Sequence, residues 1–262
     1  MASPTGTLAN LYDALRGGSL LAKIDGARVP AHVAVIMDGN GRWAANRGLP
    51  RLDGHRAGAE AIKPVVQGAT QAGVKYLTLY SFSSENWERP TDEVAGLMSL
   101  FTEMLEREID ELDRQQVRVR VLGRIGELPA KTRDAFTAGE ERTRRNEKLQ
   151  LILALNYGGR LEIADATRRL AKEAAEGRRE VDSIDVEAVA ASLYAPDIPD
   201  PDLLIRSGGD MRVSNFLLWQ IAYAEMWVTK KLWPDFSRAD FFRALLDFQG
   251  RQRRFGRVES EG

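Results

Sequence analysis

Cysteine is absent from the 262-residue chain. That excludes disulfides, thiolate zinc sites and thiol nucleophiles, and it suits a reducing compartment. Histidine is nearly absent, with only His32 and His55. A His-rich metal centre and a hydrolase triad therefore have little to draw on. No apolar run approaches the roughly 18 residues that a membrane-spanning helix needs, and no signal-peptide pattern is visible. The expected compartment is the cytoplasm. An excess of one charge is missing too, since 37 Lys and Arg face 38 Asp and Glu for a net charge of −1. Such a chain exerts no global pull on nucleic acid, which is not an expected partner, so any anion site must be built from local arginines. The P-loop pattern G-x-x-x-x-G-K-[ST], the dinucleotide pattern G-x-G-x-x-G with its later acid, and G-x-S-x-G are all lacking.

What the chain does have is His32 to Trp43, H-V-A-V-I-M-D-G-N-G-R-W. Val33 to Met37 is an apolar, β-branched run that reads as a buried strand. It stops at Asp38-Gly39-Asn40-Gly41, where two glycines permit a tight turn and close backbone approach. Arg42-Trp43-Ala44-Ala45 then reads as the start of a helix. A strand, a glycine turn and a helix N-terminus form an anion site suited to phosphate. A carboxylate there would repel phosphate unless a divalent cation such as Mg²⁺ bridges the two. The plain alternative is that Asp38 caps the following helix.

Residues 1–30 read as a tail and a peripheral helix, with an amphipathic stretch from Leu8 to Ile24 broken at Gly17-Gly18. Residues 31–262 read as one domain, without repeat or linker. Gly54 to Gln71 has helical character, and Val74 to Tyr80 reads as a strand that runs into a polar, aromatic-rich loop, Ser81 to Pro90. Thr91 resembles the N-cap of a long helix whose apolar positions are Val94, Leu97, Met98, Phe101, Leu105, Ile109 and Leu112. That stripe reads first as core, and alternatively as one wall of an apolar channel. Strands are expected at Val117 to Leu122, Leu149 to Leu155 and Leu203 to Ile205. Helices are expected at Pro129 to Asn146, about 160–176, about 184–194 and Ser237 to Arg251.

Alternating strands and helices predict an α/β fold, a mostly parallel sheet with helices on both faces. Ligands gather at the carboxyl ends of strands in such folds. Here those ends carry Asp38 to Arg42, Ser83 to Arg89, Asn156 to Arg160, and Arg206 to Arg212. Arg42, Arg51, Arg89, Arg206 and Arg212 all fall at or just beyond predicted strand ends. Guanidinium matches phosphate oxygens bidentately and keeps its charge, so the site is expected to bind one or more diphosphates.

From His32 to Gly256 the chain resembles the cis-prenyltransferases, the undecaprenyl diphosphate synthase group. The matching blocks are H-V-A-V-I-M-D-G-N-G-R-W-A, G-H-x-x-G at Gly54 to Gly58, L-Y-S-F-S-S-E-N-W-x-R-P, N-Y-G-G-R, D-L-L-I-R-S-G-G-D-x-R-x-S-N-F-L-L-W-Q, A-Y-A-E and W-P-D-F. The D-D-x-x-D motif of trans-type synthases is missing. The resemblance implies condensation of isopentenyl diphosphate onto an allylic primer, usually farnesyl diphosphate, with Mg²⁺. It implies a (Z)-polyprenyl diphosphate of the undecaprenyl or decaprenyl type, a lipid-carrier precursor for cell-wall synthesis.

By the same resemblance, Asp38 would hold Mg²⁺, with Glu225 as a second acidic residue tied to the metal. Gly39, Asn40, Gly41, Arg42 and Arg51 would cradle the primer diphosphate, with His55 nearby. Arg206, Arg212 and Ser214 would take the diphosphate of isopentenyl diphosphate. Ser83, Ser84, Glu85, Asn86, Trp87 and Arg89 would lie on a loop between the substrates, with Asn86 in a catalytic, positioning role. Trp43, Phe82, Trp87 and the 94–112 stripe would wall a product tunnel, and Ser81 is a small wall residue of the kind that accompanies long products.

Arg254-Phe255-Gly256 matches an R-x-G that reaches a partner subunit, so a homodimer is implied, and a lipid-soluble product implies peripheral contact with the inner membrane. The chain departs from the family's common pattern at Met211, often His, and at Asp210, more often Glu. The alternative is a non-catalytic partner subunit of the same fold. Retention of Asp38, Asn86, Arg89, Arg206, Arg212 and Glu225 argues against it.

Overall fold

The computed structural model describes residues 17–252. A parallel sheet of six strands lies at its centre, in the order β3-β4-β2-β1-β5-β6. The strands are β1 (His32–Ile36), β2 (Tyr76–Ser83), β3 (Val117–Leu122), β4 (Leu149–Tyr157), β5 (Leu203–Arg206) and β6 (Glu225–Val228). Because β1 pairs with β2 on one side and β5 on the other, the chain reverses direction across the sheet there. Open α/β sheets bind ligands at such a switch point, outside the carboxyl ends of the strands.

The period-two alternation of β1 explains the layers. Val33 and Val35 pack with Val65, Val66 and Ala69 of α3 (Ile62–Ala72) and with Phe241, Phe242 and Leu245 of α8 (Arg238–Gln249). Ala34 and Ile36 face the other side and pack with Tyr157, Phe216 and Leu217. A third cluster joins α4 (Thr91–Arg114) and α5 (Ala130–Thr143) to the sheet through Leu97, Leu105, Phe136, Val119 and Leu155. Further helices are α1 (Asn40–Ala45), α2 (Arg51–Glu60), α6 (Gly159–Ala175) and α7 (Val186–Ala191).

Several boundaries differ from expectation for physical reasons. The single helix expected over Gly54 to Gln71 is two, α2 and α3, which meet at Ala61. Pro64 has no N–H to return to Glu60, so the hydrogen-bond ladder is interrupted there. Thr91 is not the N-cap of α4; Pro90 holds that position, with Asp92 and Glu93 in the first turn. Strand β2 runs on to Ser83, past register shifts at Tyr80/Phe82 and Phe82/Ser83. Irregularities of this kind turn side chains at a sheet's end out of strict alternation. Gly17 and Gly18, expected to break a helix, are themselves helical. The start of the Leu8 to Ile24 stretch and the Arg254-Phe255-Gly256 motif lie outside the described residues. No helix among the described residues is long and apolar enough to cross a membrane.

Candidate active site

The turn after β1 builds the first wall of a cleft. Gly39 takes φ 108°, and a Cβ there would lie 2.8 Å from Leu232 Cδ2, so the position requires glycine. Gly39 is the N-cap of α1 and makes no side-chain cap. Asp38 is therefore not the helix cap, and its carboxylate is left for other work. Ser207, just past β5, pins the turn: its hydroxyl donates to the Asp38 carbonyl at 2.8 Å and accepts from the Asp38 N–H at 2.9 Å.

The Asp38 carboxylate meets a guanidinium at each oxygen. Arg206 Nη2 donates to Oδ2 at 2.8 Å, and Arg42 Nη2 stands 3.2 Å from Oδ1. Burial alone would raise the Asp38 pKa, but the hydrogen bonds and charges of Arg206 and Arg42 outweigh it and hold the group below its ordinary value. Arg206 is 3% exposed and also donates to Ser214 Oγ at 2.9 Å and to the Arg212 carbonyl. Asp210 reaches the same cluster, 2.6 Å from Arg212 Nη2 and 3.5 Å from Arg206 Nη2. Asp210 thus joins the arginine cluster, whereas Met211 is 79% exposed.

A second cation cluster faces the first. Oε1 of Glu93 lies 3.1 Å from Arg51 Nε, 3.0 Å from Arg89 Nη1 and 3.6 Å from His55 Nε2. Burial first, then the charges of Arg89 and Arg51, push the His55 pKa down to about 4 against the pull of Glu93. His55 is a neutral imidazole at pH 7.

Between the clusters lies a cleft of about 420 Å³ lined by Asp38, Gly39, Asn40, Gly41, Arg42, Arg51, His55, Ser83, Asn86, Arg89, Arg206, Arg212 and Ser214, among others. Five arginines and one carboxylate in a single lining make a receptor for a polyanion. Arg206 Nε, buried in this lining, has no hydrogen-bond partner. An unsatisfied buried donor is uncommon in folded proteins and suits an anionic ligand. Among the described residues, no group of three or more His, Cys, Asp or Glu could hold a metal unaided. A Mg²⁺ ion does not need one, because it is commonly held by one or two carboxylates plus phosphate oxygens. Asp38, alone among anions in the lining, fits that donor set.

An apolar cavity of about 120 Å³ adjoins the cleft and shares Met37, Asn40, His55, Ser81 and Leu97 with it. Val94, Leu97, Met98 and Leu105 of the α4 stripe are core, and Leu97 and Leu105, with Phe101 and Leu112, also line the cavity. Trp233, buried with its Nε1 donating to the Gly58 carbonyl at 2.7 Å, lines it as well.

Several expected site residues stand elsewhere. Trp43 is not in either lining; its Nε1 donates to Asp235 at 2.8 Å and Arg47 covers its ring at 4.0 Å. Trp87 packs edge-on against Phe82 and donates to Asn156 at 2.7 Å, so both rings brace the loop and neither lines the cavity. Glu85 accepts from Asn215 at 2.6 Å, and Ser84 lies against Gly158, both outside the cleft lining. Asn86 lines the cleft, but its side-chain oxygen accepts from the Ser83 N–H at 3.1 Å, half of a capping box that shapes the loop.

Glu225 is the largest correction. It begins β6 in register with Leu203, which pairs with Val33, five residues before Asp38. At about 3.3 Å per residue that is roughly 16 Å along the sheet. Its carboxylate is bound by Arg251 at 2.9 Å. Within one chain, Asp38 and Glu225 cannot share an ion.

Sequence reasoning missed Glu93 and Ser207. Glu93 stands four residues after Arg89 at a helix start, a spacing that brings the two side chains together. Ser207 lay inside a quoted motif, with no local signal that its hydroxyl ties two loops.

Residues 36–256 match the family model for undecaprenyl diphosphate synthases. The chain is 50% identical over 241 residues to an isoprenyl transferase of Heliobacterium mobile, covering 92% of this chain and 93% of that one. It is 48% identical over 235 residues to a ditrans,polycis-undecaprenyl-diphosphate synthase of Xanthomonas axonopodis pv. citri, named as (2E,6E)-farnesyl-diphosphate specific, with 90% and 91% covered. Its fold matches the crystal structure of lavandulyl diphosphate synthase from Lavandula x intermedia in complex with dimethylallyl diphosphate, with a TM-score of 0.86, 37% identity, and 88% and 99% of the two chains covered. With an arginine-rich cleft at the switch point of a parallel sheet and half of its residues shared with named relatives, this chain belongs to the undecaprenyl diphosphate synthase family of prenyltransferases.

Proposed function

We propose that the chain elongates an allylic diphosphate, farnesyl diphosphate in the first instance, by cis addition of isopentenyl diphosphate with Mg²⁺, giving a (Z)-polyprenyl diphosphate. The observation that carries this reading is the cleft in which five arginines face one carboxylate beside an apolar cavity. A diphosphate needs the first, and a hydrocarbon chain needs the second.

Arg42 and Arg51, with the turn at Gly39 to Gly41, hold the primer diphosphate, and Asn40 and His55 border the same cleft. Arg206, Arg212 and Ser214 hold the second diphosphate. Arg89 and Asn86, on the loop between, border both. Asp38 would hold the metal, whose positive charge would help stabilise the leaving diphosphate.

As the allylic C–O bond breaks, its electron pair passes to the departing diphosphate. Preset guanidinium donors stabilise that oxygen charge without reorganising, which lowers the barrier. The double-bond electrons of isopentenyl diphosphate form the new C–C bond, and one proton leaves to restore a double bond. Asn86 cannot take that proton, because an amide is a poor base; a diphosphate oxygen is the acceptor this reading assigns. The apolar cavity keeps water from the cationic carbon.

The reading includes a homodimer and a role in making the lipid carrier for cell-wall synthesis. The test is incubation with farnesyl diphosphate, labelled isopentenyl diphosphate and Mg²⁺. Products that grow in five-carbon steps with cis double bonds support the reading, and a chain inert towards farnesyl, geranyl and dimethylallyl primers, with no partner protein restoring turnover, overturns it.

A further inference from the structure

The motif Asn156-Tyr157-Gly158-Gly159-Arg160, expected at a strand end beside the ligand, supplies no residue to the cleft lining. It packs instead against the turn that follows β5. The Arg160 N–H donates to Asn215 Oδ1 at 2.8 Å, and the Gly159 N–H donates to the Asn215 carbonyl at 2.7 Å. One residue, distant in sequence, thus caps two of the N–H groups that open α6 and have no partner within the helix. Gly158 permits this approach, because a Cβ there would stand 2.7 Å from Asn215 Nδ2 and 2.6 Å from Ser84 Oγ. The other end of the same amide turns to the loop after β2, where Asn215 Nδ2 donates to Glu85 Oε1 at 2.6 Å. A single side chain therefore joins the start of α6, the loop after β2 and the turn after β5.

Asn215 follows Ser214, whose hydroxyl accepts from Arg206 Nη1 at 2.9 Å. The backbone there is unusual. Ser214, Asn215 and Leu217 take φ of 48°, 62° and 46°, three of the five positive values found at non-glycine residues among those described. Asparagine tolerates that region, whereas serine and leucine enter it at a cost. Such a conformation persists only where its surroundings over-determine it. Tyr80 supplies one restraint, with its ring stacked on Phe216 at 4.4 Å and its hydroxyl donating to the Ser214 carbonyl at 3.3 Å. The three Asn215 hydrogen bonds supply the other. Without them the turn is free to relax, and the Ser214 hydroxyl loses its fixed place beside the Arg206 guanidinium.

We propose that Asn215 is a positioning residue for isopentenyl diphosphate: held by Arg160 and Glu85, it fixes the Ser214 hydroxyl against Arg206. This rests on the elongation reading, which assigns Arg206, Arg212 and Ser214 to that diphosphate. Removing the Glu85 carboxylate would by charge alone favour a nearby anion, so weaker binding in Glu85→Ala is the mark of lost positioning. Asn215→Asp keeps an acceptor for the Arg160 N–H but sets two carboxylates against each other in place of the hydrogen bond. Joining Asn215→Asp with Glu85→Gln restores that bond with donor and acceptor exchanged, since the glutamine amide donates to the new carboxylate.

Each variant is assayed with farnesyl diphosphate, isopentenyl diphosphate and Mg²⁺ for kcat and both KM values. Equilibrium binding of isopentenyl diphosphate is read separately by calorimetry. Glu85→Ala and Asn215→Asp are each expected to raise KM and Kd for isopentenyl diphosphate about tenfold, the scale of one hydrogen bond to a charged group, with KM for farnesyl diphosphate within about twofold. The exchanged pair should return to within about threefold of wild type, the coupling that two residues in contact show. An equal rise in both KM values, a fall in kcat alone, tighter binding by Glu85→Ala, or an exchanged pair no better than Asn215→Asp overturns the proposal. A wild type that makes no product fails the elongation reading instead, and the binding comparison still decides the role of Asn215.

Discussion

Arg206 Nη2 donates to Asp38 Oδ2 at 2.8 Å, joining the end of β5 to the turn after β1 across the point where the sheet reverses direction. The acid that the family pattern assigns to the metal and the arginine it assigns to a diphosphate are thus hydrogen-bonded to each other. Neither is free until substrate or metal offers a better partner. Replacing Asp38 with Asn keeps the shape but leaves Arg206 with a neutral acceptor. The expected result is a loss of roughly 10²–10³ in kcat, the scale of removing one transition-state stabilising group. A stability loss of about 1–3 kcal/mol should accompany it, measured by urea unfolding, from a buried guanidinium that has lost its charged partner.

Glu93 arranges the other cation cluster, since one of its oxygens serves Arg51, Arg89 and His55. Glu93→Gln frees two arginines whose positions matter at the ångström scale. A fall of about 10²-fold in kcat/KM is expected. The effect should lie mainly in KM for the allylic primer, with a steeper salt dependence. A drop in kcat alone would contradict this assignment.

Trp87 separates loop bracing from tunnel walling. Trp87→Phe keeps the ring against Phe82 but removes the hydrogen bond to Asn156, a residue that is buried and held at φ 48°. The variant should lose about 1 kcal/mol of stability and some turnover, while its product length stays that of wild type. A changed length, read by mass spectrometry, would restore Trp87 to the wall.

His32 supplies a pH test of the fold. Burial, against smaller support from the Pro199 carbonyl and Asp202, lowers its pKa from 6.5 to about 4. Above pH 6.5 the ring is neutral whether folded or unfolded. As pH falls from 6.5 to 4 the unfolded chain binds a proton that the folded chain refuses, so stability declines. The span corresponds to roughly 3 kcal/mol at 1.36 kcal/mol per unit. His32→Gln is expected to be less stable at pH 7, because the Pro199 and Thr78 contacts are disturbed, but its deficit should narrow towards pH 4. A constant deficit would show that His32 does not titrate this way.

The parallel sheet was legible in the sequence because the apolar runs of β1, β3, β4 and β5 end in loops holding glycine and arginine, a signal local to a few residues; β6, followed by Thr229-Lys230-Lys231, lacks it. The loop positions that line the cleft were legible for the same reason. Glu225 was not, since its distance from Asp38 depends on the register of β6 against β5 and β1, which no local pattern encodes. Trp43, Phe82 and Trp87 were placed in a tunnel wall by the family resemblance alone; Asp235 and Asn156, distant in sequence, bind the two tryptophans elsewhere. The split between α2 and α3 was readable in Pro64, whose missing N–H is a purely local fact.

The central claim is that Asp38 and the surrounding arginines drive cis elongation of an allylic diphosphate. Its most direct test is product analysis of wild type and Asp38→Ala side by side, with farnesyl diphosphate, labelled isopentenyl diphosphate and Mg²⁺. The account predicts cis-configured polyprenyl diphosphates from the wild type and almost none from a folded Asp38→Ala protein. Equal turnover by the two, or all-trans products from the wild type, would contradict it.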